Sequence, residues 1–143
     1  MTTFYVLRHA HKEFGSYYNP ALRHQDEPIT AKGREAAQKL WPFFTDKQIS
    51  AIYISCYLRT AQTIEYVAGQ LGIAPVADER LNELDNGLFE QLSEQEIRAL
   101  YPVVWQAFRE RKQDFRFPEG ETGEEARRRI ADFLEEKQKK HAG

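Results

Sequence analysis

The sequence has one cysteine, Cys56, and no long hydrophobic run. A single cysteine excludes a disulfide within the chain and is typical of the reducing cytoplasm, where we expect the protein to reside. No apolar stretch approaches the roughly 18 residues that a membrane-spanning helix needs, so we expect no membrane partner. The net charge of −2 provides no basic field for nucleic acid. An anionic ligand would therefore have to be bound by a few placed arginines.

The chain of 143 residues is long enough for one domain with a hydrophobic core, and we expect residues 1–143 to form a single domain. Short apolar runs that predict strands alternate with helical patterns. The predicted strands are Phe4–Leu7, Ala51–Ile54 and Pro75–Ala77. This order favours a parallel sheet with helices on its faces. The long polar and aromatic segment Gly15–Pro28 is predicted to be a loop.

Local signals define the predicted helices. Thr30 is a predicted N-cap, and Gly72 is the predicted stop of the helix that follows Ser55. Capping boxes are predicted at Ser93 with Glu96 and at Thr122 with Glu125, and the last helix is predicted from about Gly123 to Lys140. The apolar positions expected to face the core are Ala36, Ala37, Leu40, Trp41 and Phe44, then Ala61, Ile64, Ala68 and Leu71, then Ala126, Ile130, Phe133 and Leu134.

The pair Arg8-His9 directly follows the first predicted strand. Ligands of open α/β sheets bind outside the carboxyl ends of the strands, and an arginine there suits phosphate. Arg59 lies just after the second predicted strand, and Glu83 follows the third. Because the carboxyl ends of parallel strands meet at one edge of a sheet, we expect Arg8, His9, Arg59 and Glu83 to converge in one cleft.

These four residues fit phosphoryl transfer. A neutral imidazole can attack phosphorus and form a covalent phosphohistidine. Arginines neutralise the equatorial oxygens, over which the charge of the transition state is spread. A carboxylic acid can protonate the departing oxygen and later activate water.

Five segments together resemble the histidine phosphatase superfamily, also called phosphoglycerate mutase-like. Arg8-His9 is similar to its Arg-His-Gly signature, with Ala10 in place of glycine. Segments similar to its other motifs occur in the family's order at Pro28 to Gly33, at Ser55-x-x-x-Arg59-x-x-x-Thr63, at Leu81-Asn-Glu83 with Gly87, and at Pro118 to Thr122. The resemblance covers the chain from Phe4 to about Leu134.

The resemblance implies a role for each site residue. His9 would accept the phosphoryl group, Arg8 and Arg59 would bind phosphate, and Glu83 would donate the proton. Asn19 and Arg23 are further candidates for substrate binding, although loop residues of these types are more often solvated surface. The implied fold is a three-layer α/β/α sandwich with a mainly parallel sheet. No metal or other cofactor is expected, and the expected partner is a small phosphorylated metabolite.

The sequence departs from the family at its end. The family carries a second catalytic histidine after a final core strand, and neither His24 nor His141 fits that position. The chain is therefore expected to be C-terminally incomplete, lacking that strand and that histidine. A cut piece of a longer enzyme, a degenerate homologue, and two chains that complete each other remain open. The last alternative corresponds to a homodimer through the open sheet edge.

The sequence predicts a hydrolase, a phosphatase of phosphomonoesters that acts through a phosphohistidine on His9. Two alternatives remain open. One is a phosphotransferase of the phosphoglycerate mutase type, although the segment between Gly87 and Pro118 is short for a family mutase. The other is a catalytically impaired phosphate-binding or interaction module, in which the arginines are retained but the second histidine is absent.

Overall fold

The computed structural model describes residues 1–110 and 114–142, which divide into two compact units. The first unit contains residues 1–17 and 26–82, and the second contains residues 18–25 and 83–142. The expectation of a single domain stays a prediction. The elements in chain order are β1 (Tyr18–Asn19), β2 (His24–Gln25), α1 (Ala31–Gln38), α2 (Trp41–Phe44), β3 (Tyr53–Ile54), α3 (Leu58–Leu71), β4 (Val76–Ala77), α4 (Glu94–Leu100), α5 (Pro102–Glu110) and α6 (Gly123–Lys140).

The helices of the first unit begin and end where local chemistry predicts. The Thr30 hydroxyl accepts a hydrogen bond from the Gly33 amide at 3.0 Å, which confirms Thr30 as the N-cap of α1. Gly72 ends α3 in the left-handed conformation, also as predicted. The core is a cluster of Phe44, Ile64 and Val67.

The predicted inward face of the first helix is partly wrong. Ala37 and Phe44 are buried, as expected, but Ala36 is exposed. The helical pattern is divided into α1 and α2, with Pro42 in the first turn of α2. Gly33 and Ala37, the buried residues of α1, lie four positions apart on one face, and Ala36 lies about 100° around the helix from Ala37.

The sheet differs from the expectation. β3 and β4 pair in parallel, with Tyr53 opposite Val76 and Ile54 opposite Ala77. The predicted strand at Phe4–Leu7 is wrong, because these residues are not paired as a strand and Val6 is 87% exposed. A strand requires the backbone of a neighbour, which an apolar run cannot supply by itself. The three-layer sandwich with a mainly parallel sheet, C-terminally incomplete, therefore stays a prediction.

The second unit contains a hairpin where a loop was expected. β1 and β2 pair antiparallel, with Tyr18 opposite Gln25 and Asn19 opposite His24. The turn places Arg23 at a φ of 54°. Arginine is not a residue that favours this conformation, so the sequence carried no usual hairpin signal.

Both capping boxes are confirmed, at the starts of α4 and α6. On α6 the buried residues are Phe133 and Lys137, whereas Ile130 and Leu134 are 39% and 38% exposed. The inward assignment of Ile130 and Leu134 is thus wrong. The Lys137 ammonium lies 5.4 Å from the centre of the Phe133 ring, so a cation over an aromatic face occupies the buried side of α6 instead. None of the helices in the described residues is long and apolar enough to cross a membrane.

Candidate active site

The ring of His9 is fixed by a backbone contact. Its Nδ1 lies 2.8 Å from the carbonyl oxygen of Ala10, and the residue is half-buried. A carbonyl can only accept a hydrogen bond, so Nδ1 carries the proton and donates it. In the neutral tautomer with its proton on Nδ1, Nε2 holds the lone pair, which is the state required of a nucleophile.

The segment after His9 is tied to α3 through Thr63. The Ala10 amide donates to the Thr63 hydroxyl at 2.9 Å, and that hydroxyl donates to the carbonyl of Arg59 at 2.6 Å. Thr63 is buried. One side chain therefore connects the peptide next to His9 with the turn of helix that carries the predicted phosphate-binding arginine.

The same segment is also fixed against the start of α1. The Thr30 amide donates to the His11 carbonyl at 2.9 Å, and the Glu13 amide donates to the Pro28 carbonyl at 2.8 Å. A Cβ atom on Gly33 would lie only 2.3 Å from the His11 carbonyl oxygen. This close approach explains the glycine near the start of the helix.

Arg59 is almost fully buried, with 3% of its surface exposed. Its Nη1 donates to Oε2 of Glu27 at 3.4 Å, and its guanidinium carbon lies 4.3 Å from the centre of the Tyr57 ring. Oε1 of Glu27 accepts a hydrogen bond from the Lys12 ammonium at 2.5 Å. Glu27 thus bridges two cations within the first unit.

Burial raises the pKa of Glu27, but the hydrogen bond from Lys12 and the charges of Lys12 and Arg59 oppose it and leave that pKa below its ordinary value. The carboxylate is therefore ionised at neutral pH. Three of the four predicted residues, Arg8, His9 and Arg59, lie in this unit, with Arg8 exposed.

Glu83 lies in the second unit and is exposed. Its carboxylate accepts a hydrogen bond from the Leu84 amide at 3.0 Å, and its carbonyl accepts one from Nη2 of Arg129 at 3.1 Å. Arg129 also pairs with Glu121, whose Oε1 accepts from the Asp85 amide at 3.0 Å. The arginine and Glu121 therefore fix the backbone of the acid-bearing segment. The convergence of Glu83 with the residues of the first unit stays a prediction.

The motif segments that contain Gly87 and Pro118 are bonded to each other in the second unit. The Leu88 amide donates to the Pro118 carbonyl at 2.9 Å, and the Glu121 amide donates to the Asp85 carbonyl at 3.0 Å. Gly87 has a φ of 55°, and a Cβ there would lie 2.0 Å from the Pro118 carbonyl oxygen. Only glycine fits this position, so the motif glycine is explained by its backbone and its neighbour.

The two loop candidates, Asn19 and Arg23, contact other residues of their own unit. The Asn19 side-chain oxygen accepts from the Ala21 amide at 3.0 Å. Nη2 of Arg23 donates to the Glu119 carbonyl at 3.0 Å and lies 3.7 Å from the Glu119 carboxylate. Their role in substrate binding stays a prediction.

Sequence reasoning missed Glu27 and Lys12. A single Glu beside Pro28 and a single Lys after His11 form no motif, and only the fold brings them to Arg59. Of the other histidines, His24 is buried with Nε2 at 3.1 Å from Glu90, and His141 ends α6. The missing second catalytic histidine stays a prediction. Within the described part of the chain, no group of three or more His, Cys, Asp or Glu residues could hold a metal ion.

The family model described as histidine phosphatase superfamily (branch 1) matches residues 4–143. Phosphoserine phosphatase 1 of Hydrogenobacter thermophilus is 26% identical over 144 residues, covering 99% of this chain and 66% of that protein. A probable phosphoglycerate mutase of Erwinia tasmaniensis is 29% identical over 138 residues, covering 94% of this chain and 62% of that protein. The solved structure of Bacillus stearothermophilus YhfR is 29% identical with a TM-score of 0.74, covering 95% of this chain and 67% of that one. The chain thus spans about two thirds of these relatives.

Proposed function

Because this chain, matched over residues 4–143, belongs to the histidine phosphatase superfamily, we propose that it hydrolyses phosphomonoesters through a phosphohistidine on His9. The observation that carries the proposal is the hydrogen bond of 2.8 Å from Nδ1 of His9 to the Ala10 carbonyl. It leaves the lone pair on Nε2, which is the atom that would attack phosphorus. The link from Ala10 through Thr63 to Arg59 keeps the nucleophile and a phosphate-binding cation on one framework.

The first step forms a bond between Nε2 of His9 and phosphorus while the ester P–O bond breaks. Arg8 and Arg59 balance the charge on the equatorial oxygens. Glu83 gives its proton to the departing ester oxygen, so that an alcohol leaves. The proton on Nδ1 of His9 stays on that nitrogen and is donated to the Ala10 carbonyl throughout.

The second step returns the enzyme to its starting state. Water gives a proton to Glu83 and attacks phosphorus, and the bond between phosphorus and His9 breaks. Inorganic phosphate leaves, and Glu83 is again protonated. One phosphomonoester and one water are converted to one alcohol and one phosphate, and no external reductant, oxidant or cofactor takes part.

The proposed substrate is a small phosphorylated metabolite, bound with the help of Asn19 and Arg23. The names of two relatives, a phosphoserine phosphatase and a probable phosphoglycerate mutase, support this class. The second name also makes mutase activity a second candidate. The two activities separate when the protein is incubated with 3-phosphoglycerate, since a mutase yields the 2-isomer and a phosphatase yields free phosphate.

The proposal is tested with p-nitrophenyl phosphate and two histidine variants. His9→Ala should abolish turnover, because it removes the nucleophile. His11→Ala is the matched control: its ring contacts Thr30 and Phe14, and its loss should leave turnover in place. Turnover by His9→Ala equal to that of the wild type would refute the proposal. Binding of inorganic phosphate without turnover in the wild type would favour the phosphate-binding module.

A further inference from the structure

We propose that Glu27 is a positioning residue for the Arg59 guanidinium, and that Lys12, which shares its carboxylate, gives this three-residue cluster its net positive charge. The inference rests on the proposed function, because it assumes that Arg59 binds the phosphoryl group. Hereafter Lys12, Glu27 and Arg59 are called the ion triad. All three belong to the first unit.

The carboxylate of Glu27 divides its two oxygens between two cations. Oε1 lies 2.5 Å from Nζ of Lys12, and Oε2 lies 3.4 Å from Nη1 of Arg59. The side chains of Glu27 and Arg59 are 9% and 4% exposed, and that of Lys12 is 33% exposed. A buried carboxylate is expensive unless it is paired, so Glu27 is held in place by both partners.

Two contacts together fix the plane of the guanidinium. The Tyr57 ring lies against the guanidinium carbon of Arg59 at 4.3 Å, and the Glu27 oxygen lies at Nη1. Stacking restricts tilt, while the ion pair restricts rotation within the plane. Arginine binds phosphate well only when its fork of N–H donors is oriented toward the oxygens. Loss of Glu27 would remove the restriction that the ion pair places on rotation within the plane.

The ion triad also connects Arg59 to the nucleophile by a second route. Lys12 follows His9 by three positions, and the backbone of residues 11–13 is bonded to that of residues 28–30, beside Glu27. The first route runs from Ala10 through Thr63 to the Arg59 carbonyl. The route through Thr63 holds the backbone of Arg59 relative to the His9 segment, and the route through the ion triad holds its side chain.

The charge of the ion triad distinguishes positioning from a purely structural role. Two cations and one carboxylate leave a net charge of +1, which attracts a phosphate dianion. Replacement of Glu27 by glutamine raises that charge to +2 while it weakens the hold on Arg59. Phosphate should therefore bind at least as tightly although catalysis slows. A variant that merely loosened the fold would lose both.

The experiment compares Glu27→Gln, Lys12→Met and the double variant with the wild type. Turnover of p-nitrophenyl phosphate gives kcat, and calorimetry at low salt gives the Kd of inorganic phosphate. Glu27→Gln should lower kcat by about tenfold or more, as expected for a misplaced binding group, with an unchanged or lower Kd. Lys12→Met should raise the Kd several-fold, and the double variant should restore it because its net charge is again +1. Glu65→Gln, which removes the exposed ion pair with Arg34, is the control.

Glu27→Asp provides a second variant in case Glu27→Gln fails to fold. It keeps the charge but is too short to reach both cations, so kcat should fall while the Kd stays near that of the wild type. The inference is overturned if the soluble variant keeps the kcat of the wild type, or if kcat and phosphate binding weaken in parallel.

Failure of the proposed function gives a different pattern. A wild-type protein that binds phosphate without turnover refutes hydrolysis. The Kd values of the variants for phosphate then decide the inference alone. A Kd of Glu27→Gln at or below that of the wild type, with a Kd of Lys12→Met above it, supports the inference, and any other order overturns it. A wild-type protein that neither turns over nor binds phosphate overturns both.

Discussion

The amide of Ala10 donates a hydrogen bond of 2.9 Å to the hydroxyl of Thr63, 53 positions later in the chain. That hydroxyl donates in turn to the Arg59 carbonyl at 2.6 Å. A single buried side chain thus sets the spacing between the segment that carries His9 and the helix that carries Arg59. One hydroxyl therefore links the positions of both groups.

Thr63→Val tests this link, because valine keeps the shape but removes the hydroxyl. The Ala10 amide would lose its partner, which should cost about 1–3 kcal/mol of unfolding free energy. The kcat should also fall, by about tenfold or more, because His9, the proposed nucleophile, loses its fixed position. Thr63→Ser is the control, since it keeps the hydroxyl. Equal kcat values for the two variants, measured with p-nitrophenyl phosphate, would contradict the role assigned to this residue.

Gly33→Ala tests the close approach of α1 to the His9 segment. The added methyl would lie 2.3 Å from the His11 carbonyl oxygen, which is backbone and cannot turn aside. We expect a loss of about 1–3 kcal/mol in urea unfolding, together with slower turnover. Gly69→Ala is the matched control, because nothing lies within 4 Å of the added methyl on α3. That variant should be more stable by about 0.5–1 kcal/mol. Equal stability of the two variants would contradict the close approach of Gly33 to the His11 carbonyl.

Glu121 links stability to pH in the second unit. The hydrogen bond from Arg129 lowers the pKa of Glu121 from its ordinary value of 4.5, against the opposing effect of burial. A carboxyl whose folded pKa is lowered contributes stability above its unfolded pKa, and that contribution is lost as the pH falls through the folded value. Stability should therefore decline below about pH 4.5, and part of that decline should vanish in Glu121→Gln.

The unfolding free energy measured by urea titration from pH 7 to pH 3 checks this prediction. Arg129→Met should also reduce the decline of the unfolding free energy at low pH, because it removes the partner of Glu121 instead of the carboxyl. An equally steep decline at low pH in the wild type, Glu121→Gln and Arg129→Met would show that Glu121 does not contribute to it.

Glu83→Gln tests the acid assignment with two leaving groups. Phenyl phosphate has a poor leaving group and needs its proton, whereas p-nitrophenyl phosphate needs it much less. The variant should lose about a hundredfold in kcat/KM with phenyl phosphate, within the usual range for a general acid, and far less with the nitrophenyl ester. The ratio kcat/KM is used because it reports the step in which the alcohol leaves and not the later attack of water, which the two esters share. Equal losses with the two esters would indicate that Glu83 does not protonate the leaving group.

The features predicted correctly are those encoded by neighbouring residues. The Thr30 cap, the capping boxes at Ser93 and Thr122, and the stop at Gly72 each depend on a side chain or glycine within a few positions of a helix end. Such signals act whatever the rest of the chain does.

The errors concern features that depend on distant partners. Phe4–Leu7 has the composition of a strand, but strand formation requires a neighbouring backbone. On α6, Lys137 is buried beside Phe133 and Leu134 is exposed, and the Lys137 ammonium lies over the Phe133 ring. The motif residues Arg8, His9 and Arg59 could be selected from sequence through the family pattern. Glu27 could not, because its partners Lys12 and Arg59 are brought to it only by the fold.

The most direct test of the central claim is to locate the phosphoryl group on the protein during turnover. The protein is mixed with a phosphomonoester and quenched in base, which preserves phosphohistidine. Its peptides are then analysed by mass spectrometry. We expect phosphate on the peptide that contains His9 and none on that peptide in His9→Ala. The phosphorylated fraction of the wild-type peptide should rise and then fall as the substrate is consumed. Turnover with the label on another residue, or turnover by His9→Ala at the wild-type rate, would contradict it.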